Sequence, residues 1–395
     1  MKNSPLYKII VREFERIINR RTLFLFEIVL PILFFFLFAE IYEKELVRDL
    51  PVAIYDADNS SISRQVTRFV DSSPTLTITK NCNSIDEIKR EFQQGNIQGA
   101  FVFPKDLEKN LKSGKSSTIV VYKNSTNILI GTYLLKESST IVGMVSGGAL
   151  LKKLQSSGLK KEKAMSIANP IRIQTSSLYN PTYSYESYLM PGVLLFTFQM
   201  MIILTAVLLI SSEYSHQTFR NLIQLAENKS FLIILGKTIP HLLIHMVSVI
   251  LIFGVVFPIY NISNHGGTAV LMLLMVIFIF SSFMIGLLIS AWVKDQTLAT
   301  EIAIILNMPA FILSGLTFPT WGMPLAYTYL SQALPFTHFL NAFLKIYQMG
   351  ASYGDIINEL GILLLYGVIS LIGTLIGLRT KMHKQKNETH ALVEV

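Results

Sequence analysis

Residues 188–212, YLMPGVLLFTFQMMIILTAVLLISS, contain no Asp, Glu, Lys or Arg. An apolar helix needs about 20 residues to cross the hydrocarbon core of a bilayer, so this stretch is long enough to span it. Residues 238–293, 302–344 and 360–378 are equally free of charge. The chain of 395 residues is 51% hydrophobic and 15% charged, against about 25% charged in an ordinary soluble domain. That much apolar surface does not fit inside one water-soluble core, and the bilayer is the solvent for much of the chain. Spans are expected at roughly 23–42, 188–211, 232–258, 267–292, 300–318 and 358–378.

The stretch 302–344 is too long for one crossing. As a single helix it would run about 65 Å, twice the hydrocarbon thickness, and Pro319, Pro324 and Pro335 interrupt it. Its Trp321, Tyr327, Tyr329, Gln332 and His338 suit an interface or a re-entrant pair of short helices. The distribution of basic residues decides between a seventh crossing and a re-entrant segment. With six crossings, both termini and the loops at 212–230 and 293–299 share one side. Those segments carry Arg12, Arg16, Arg20, Arg21, Arg220, Lys229, Lys294 and Arg379 among others, whereas the short loops opposite carry Lys345 alone. Six crossings with both termini cytoplasmic satisfy the positive-inside rule. The apolar run at 23–39 lacks a small-x-small cleavage site and reads as a retained signal anchor.

Of the 60 charged side chains, 33 fall in residues 43–187, which marks that segment as a water-exposed domain, expected outside. Strand and helix signals alternate there. VAIY (52–55), LTIT (76–79), GAFVFP (99–104) and STIVVY (117–122) read as strands. Ser60 or Ser61 and Ser84 read as helix caps, with Glu87 completing a capping box and Gly95 ending that helix. A weakly apolar helix follows, from about Ile128 to Gln155. The segment is a small α/β domain.

Several constellations bear on chemistry. Asp56-Ala-Asp58 follows a strand, as in haloacid-dehalogenase phosphatases, but no later acidic pair accompanies it. A calcium loop would need Gly and Glu where Ser61 and Thr67 stand. A polar turn with capping groups is the reading the residues favour. His241 and His245 share a helix face at i, i+4, yet lack the Glu of a zinc-binding H-E-x-x-H, so hydrogen bonding between helices is preferred to a metal. No catalytic residues and no metal ligands are assigned. One cysteine, Cys82, excludes an internal disulfide. No G-x-x-x-x-G-K-[ST] stretch occurs, so no ATP or Mg is expected on this chain. Glu27 and Glu301 fall inside or at the edge of spans and are a candidate intramembrane polar site, with pairing to Arg20, Arg21 or Lys294 at the interface as the alternative. The +8 net charge lies largely beside spans, which argues against a nucleic-acid partner.

Two cytoplasmic features stand out. On a helical wheel Leu6, Ile10, Phe14, Ile17 and Ile18 share one face, opposite Lys8, Arg12, Glu15, Arg16 and Asn19. This is an interfacial amphipathic helix on the lipid of the inner leaflet. In the loop 212–230, Thr218 to Leu225 can form a short helix whose Leu222, Ile223 and Leu225 make an apolar face for a soluble partner, rimmed by Glu213, Arg220 and Glu227. The segment after Arg379 is polar and is expected to be mobile.

Taken in order, four stretches resemble the ABC-2 type permeases, the membrane subunits of ATP-binding-cassette exporters with a large external domain. They are LPVAIYDADNSSISRQVTRFVDSSP (50–74), YLMPGVLL (188–195), SSEYSHQTFRNLIQLAENKSFLIILGKTIP (211–240) and LSGLTFPTWGMPLAYTYLSQALPFTHFLNAF (313–343). One departure is Gln217 before Thr218, where the family carries a Gly-Thr pair. The resemblance implies a polytopic α-helical membrane protein of six transmembrane helices, with a re-entrant segment before the last and an inserted extracytoplasmic α/β domain. Its parts are a cytoplasmic amphipathic helix (1–22), a first span (23–42), the external domain (43–187), five further spans (188–378) with a coupling loop at 212–230 and a re-entrant segment at 319–345, and a cytoplasmic tail (379–395). It implies ATPase coupling through Glu213, Thr218, Arg220, Leu222 and Leu225. It implies a separate ABC ATPase subunit carrying ATP and Mg, a second permease copy or paralogue, a periplasmic adaptor, and a place in the bacterial inner membrane exporting drugs, lipids or other amphiphiles. A polytopic sensor with an external ligand-binding domain is the alternative, although the tail is short for an output domain.

Overall fold

The computed structural model describes residues 4–42, 48–168, 178–179, 185–260, 262 and 264–393. The expected start of the inserted domain at 43, the stretches 169–177 and 180–184 before its expected end, and the extreme termini of the expected 1–22 helix and 379–395 tail lie outside the described residues. The chain divides into two compact units, 1–45 with 178–395, and 46–177.

The second unit is a four-stranded mixed sheet with helices. Its strands are β1 (Leu50–Asp56), β2 (Leu76–Asn81), β3 (Gly99–Phe103) and β4 (Val120–Lys123), in the order β2-β1-β3-β4. β1 pairs parallel with β2 and β3, and β4 closes the edge antiparallel to β3. The strand alternation fills both faces. Val52, Ile54, Phe101 and Phe103 enter one cluster, while Ala53, Ala100 and Val102 enter another with Ile88 and Ile97. The helix Ser61–Asp71 starts at a reciprocal cap between Ser60 and Ser63. The helix Ile85–Gln93 starts where Ser84 Oγ accepts from Glu87 N–H. Glu87 itself reaches back to Asn83 N–H rather than to Ser84, one residue off the reciprocal capping box.

The helix Ile128–Ser156 lays Gly131, Leu134, Ser138, Ile141 and Val145 against the sheet at i, i+3 and i+4 spacing. The approach is close, since a Cβ on Gly99 would stand 2.6 Å from Leu134 Cδ1. Its length and composition are those of a membrane-crossing helix, and its far side exposes Leu135 and Met144. Among the described residues seven helices meet that standard, and this is the one in the sheet-bearing unit.

The first unit is helical. Its elements begin with α1 (Pro5–Asn19) and α2 (Arg21–Ile41), the latter containing a π turn at Leu25–Val29. Then come α3 (Tyr185–Ser215), the short α4 (Phe219–Leu225) and α5 (Ser230–Ile259), which has a second π turn at Ile252–Val256. They are followed by α6 (Thr268–Trp292), α7 (Gln296–Leu313), α8 (Leu325–Gln332), α9 (Pro335–Tyr347) and α10 (Ile357–Val393). Buried apolar side chains from α3, α5, α6 and α9 form one core, in which Phe278 and Phe339 stack with ring centroids 3.5 Å apart. The long apolar stretch after residue 302 resolves into α7, a single 3-10 turn at Thr320–Gly322, α8 and α9. α10 continues as helix past Arg379 to Val393. Lys381 sits 4.5 Å above the ring centroid of Tyr214 and donates to the Ser290 carbonyl, which holds the first turn of that extension.

Candidate functional site

Where α1, α2, α3 and α5 meet, the structure buries a connected set of charges. α1 begins at Pro5, with Ser4 Oγ accepting from Tyr7 N–H. It packs so tightly on α5 that a Cβ on Gly236 would lie 2.5 Å from Ile9 Cγ2. That contact turns Ile9, Glu13, Arg16 and Ile17 inward and leaves Phe14 and Ile18 exposed. The helix is amphipathic, and Lys8, Glu15 and Asn19 are exposed as the wheel suggests, but Arg16 is buried. The counter-charges come from α3 and α5, some 200 residues along the chain, which is why the wheel alone misplaces Arg16.

Glu213, in the last turn of α3, is fully buried. It receives Arg12 Nη2 at 2.7 Å, Arg16 Nη1 at 3.1 Å and Lys237 Nζ at 2.8 Å. Thr218 Oγ1 also donates to Glu213 Oε2. Glu13 takes Arg16 Nη1 at 2.9 Å and Lys237 Nζ at 2.8 Å. Arg16 further donates to Ser212 Oγ and to the Leu208 and Leu209 carbonyls. Burial on its own would raise the Glu13 carboxyl, but the Lys237 ammonium and the Arg16 guanidinium hold it well below the usual carboxylate range. His241, one turn beyond Lys237, extends the set: Nε2 lies 3.3 Å from Glu13 Oε1, and Nδ1 contacts Glu27. A neutral imidazole carries one N–H. Carboxylates thus stand against both ring nitrogens, one of them able to accept from that N–H.

Glu27 reaches His241 from inside the π turn of α2, a distortion often found at functional positions. Its partner is thus a histidine of another helix rather than Arg20, Arg21 or Lys294. Glu301, by contrast, is exposed on α7 and makes no ion pair among the described residues. The two glutamates expected to share an intramembrane site do not share this one. His245 is buried between Phe198 and Phe283, with neither ring nitrogen hydrogen-bonded. Among the described residues no cluster of His, Cys, Asp and Glu is arranged to hold a metal ion.

The short helix α4 forms where the loop 212–230 predicts it, but its apolar side faces the other way. Leu222 is 0% and Ile223 7% exposed, both inside the core, and Leu225 is half-buried against it. The apolar strip closes the bundle's own end, where those side chains have a core to enter, and is not free for a soluble partner. The outward side of α4 is polar: Arg220, Asn221 and Gln224 are exposed, followed by Glu227. Thr218 joins this helix to Glu213, so of the expected coupling residues two lie in the ion cluster, two in the packing beneath α4, and Arg220 at its surface.

Glu13, Arg16 and Lys237 are central; the sequence placed Arg16 on a solvated face and drew no site from Glu13 or Lys237. Lys237 carried a usable signal, as a lone charge inside an expected span. In the sheet-bearing unit, Asp56 and Asp58 are fully occupied by turn geometry. Asp56 accepts from the N–H groups of Asp58 and Asn59 and from Ser63 Oγ, and Asp58 accepts from Leu107 and Glu108 N–H. Neither carboxylate is placed as a nucleophile.

The arrangement is one of mechanical connection: a surface helix tied through buried charges to membrane-spanning helices. The chain is similar to a probable multidrug ABC transporter permease, YbhS of Escherichia coli K12, with 22% identity over 86% of this chain and 87% of that protein. It is 23% identical to a second, YbhR, over 80% of this chain and 82% of that one. It is also 27% identical to ABC transporter G family member 20 of Dictyostelium discoideum, over 49% of this chain and 26% of that much longer protein. A family model described as ABC-2 family transporter protein matches residues 21–376, from the start of α2 to within α10. With its membrane-capable helices, buried cluster and surface helix all inside or bordering that match, the chain belongs to the ABC-2 family of transporters as a multi-pass membrane subunit, a family that works with an ABC ATPase.

Proposed function

We propose that the chain is the permease subunit of an ATP-driven exporter that moves a drug, lipid or other amphiphile outward. The observation that carries this reading is the joint between α4 and the ion cluster. An ATPase pressing on the exposed Arg220–Gln224 side of α4 would move Thr218 and Glu213, and through Lys237, Glu13 and Arg16 would move α5 and α1. Energy comes from the separate subunit, because the sequence offers no phosphate-binding loop for ATP and Mg. In this reading Glu213 and Thr218 transmit the motion, Leu222 and Leu225 hold α4 to the bundle, and Arg220 meets the ATPase. The chain crosses the bacterial inner membrane six times with both termini cytoplasmic and the 319–345 segment re-entrant. A second copy or a paralogue completes the path, and a periplasmic adaptor continues it. The names of the relatives support multidrug substrates.

The test is reconstitution. Co-expressed with its ATPase, the chain should copurify as a complex with two membrane subunits and drive ATP-dependent efflux of an amphiphilic dye from vesicles. Hydrolysis of ATP by the chain alone, or dye movement without ATP, refutes the reading.

A further inference from the structure

At the corner between α1 and α2 lies a cavity of about 270 Å³, lined by Arg16, Arg20, Arg21, Ser212, His216 and Gln296 among others. No Asp or Glu lines it. Arg16 is compensated by Glu13 and Glu213. Arg20 is not: its contact is His216, with Nη1 3.2 Å from Nδ1, and no carboxylate pairs with it among the described residues. Arg21 likewise has no ion pair among them. Two guanidiniums without a carboxylate in ion-pair reach thus stand beside a third around one void, a concentration of positive charge that favours an anion.

Two independent features point into the same space. α2 starts here, and its amino-terminal residues Arg21, Thr22 and Leu23 line the cavity. Arg20, at the N-cap position, makes no side-chain cap, and no acidic residue stands in the first turn. The first N–H groups of a helix that continues to Ile41 therefore lack a side-chain acceptor, at the end where the helix dipole is positive. In addition, Arg16, 7% exposed, lines the cavity and sets a third guanidinium's positive charge at its wall.

The cavity also sits at a defined level. Arg21 is the last charge before the apolar run of α2, so the site lies at the polar edge of a membrane-spanning helix. Leu23 and Leu208 complete its lining, and Phe24 and Leu25 are exposed alongside. A ligand there meets guanidiniums at one end and apolar surface at the other.

We propose that this cavity binds a phosphate group presented by an anionic membrane phospholipid, with Arg20 and Arg21 as its ligands and the charge of Arg16 behind them. Two guanidiniums match a phosphate's acceptor oxygens, and acyl chains would run down α2 past Phe24 and Leu25. The inference requires a membrane-embedded chain but not the transport reading.

Purified full-length protein in neutral detergent provides the test. Lipid retention is measured by native mass spectrometry, and thermal stability with added phosphatidylglycerol, phosphatidylcholine or inorganic phosphate. Wild type should retain phosphatidylglycerol over phosphatidylcholine and be stabilised by it. Arg20→Gln/Arg21→Gln should weaken retention by about tenfold or more, while Arg20→Lys/Arg21→Lys keeps part of it. An unchanged gel-filtration profile shows that the variants fold. Equal retention of phosphatidylglycerol by wild type and the glutamine variant overturns the site. Stabilisation by inorganic phosphate to the same extent as by phosphatidylglycerol overturns the lipid as its source.

Discussion

Lys237 Nζ lies 2.8 Å from Glu213 Oε1, a buried ion pair joining the first third of one membrane helix to the end of another. Such a pair is expensive to break from one side, because the remaining charge stays buried without its partner, at a cost of about 3–5 kcal/mol. Lys237→Met should therefore lower thermal stability in detergent by several degrees and reduce abundance. Lys237→Met/Glu213→Gln, which removes a charge of each sign, should lose less than the sum of the two single changes. The same cluster responds to acid. The Glu13 carboxyl is held below its ordinary 4.5, so its contribution is complete above that value and is lost as pH falls below it. Melting temperatures recorded from pH 7 to pH 3 should drop at the acid end, and less so in Glu13→Gln.

The burial of Leu222 changes what its substitution reports. Leu222→Asp places a charge in the core and should prevent accumulation of folded protein, not merely of the complex with the ATPase. The informative variants are on the other side of α4. Arg220→Glu and Gln224→Arg should leave expression and melting unchanged and weaken copurification of the ATPase. Arg220→Ala alone should cost about 1 kcal/mol or less, as exposed pairs do. Undiminished copurification with Arg220→Glu/Gln224→Arg would remove α4's outer side from the interface.

Gly236 holds the contact between α1 and α5. Any larger residue meets Ile9 at its branch point rather than at a flexible tip, with Cβ atoms 2.7 Å apart. Gly236→Val should push α1 off the bundle, seen as faster proteolysis within residues 5–19. Gly361, whose added Cβ would meet nothing within 4 Å, is the control: Gly361→Ala should leave the digestion pattern alone.

Cys82 is 4% exposed, and burial, reinforced by Glu87, raises its thiol above the ordinary 9.0. A labelling reagent must therefore reach a covered sulfur that holds little thiolate at neutral pH. Maleimide modification of the native protein should be slow at pH 7, and should accelerate on unfolding or above pH 9. Rapid stoichiometric labelling at pH 7 would contradict the burial.

How much of this is legible in the sequence depends on range. The strands of the 46–177 unit, the caps at Ser60 and Ser84 and the helix from Ile128 are local, and each forms within a few residues of its expected place. The helix at 219–225 is local too, but its orientation is not. Leu222 reads as a surface contact until the bundle beneath it is known. The ion cluster is the extreme case, because Glu27, Glu213 and Lys237, and Glu13 apart from its local partner Arg16, acquire partners only when four helices assemble. Glu301 shows the converse, a charge at a span's edge with no such meeting.

The helix Ile128–Ser156 carries a hazard for biosynthesis. Its apolar length is enough for the insertion machinery to release it sideways into lipid, which would invert every later crossing. Order of synthesis guards against this. All four strands precede it in the chain, and domains fold as they emerge. When Leu134, Ile141 and Val145 appear, all four strands of the sheet they cover have been synthesised and wait for them. Mutations that slow sheet formation should then be expressed as inverted topology, a defect felt by helices that the mutated residues never touch.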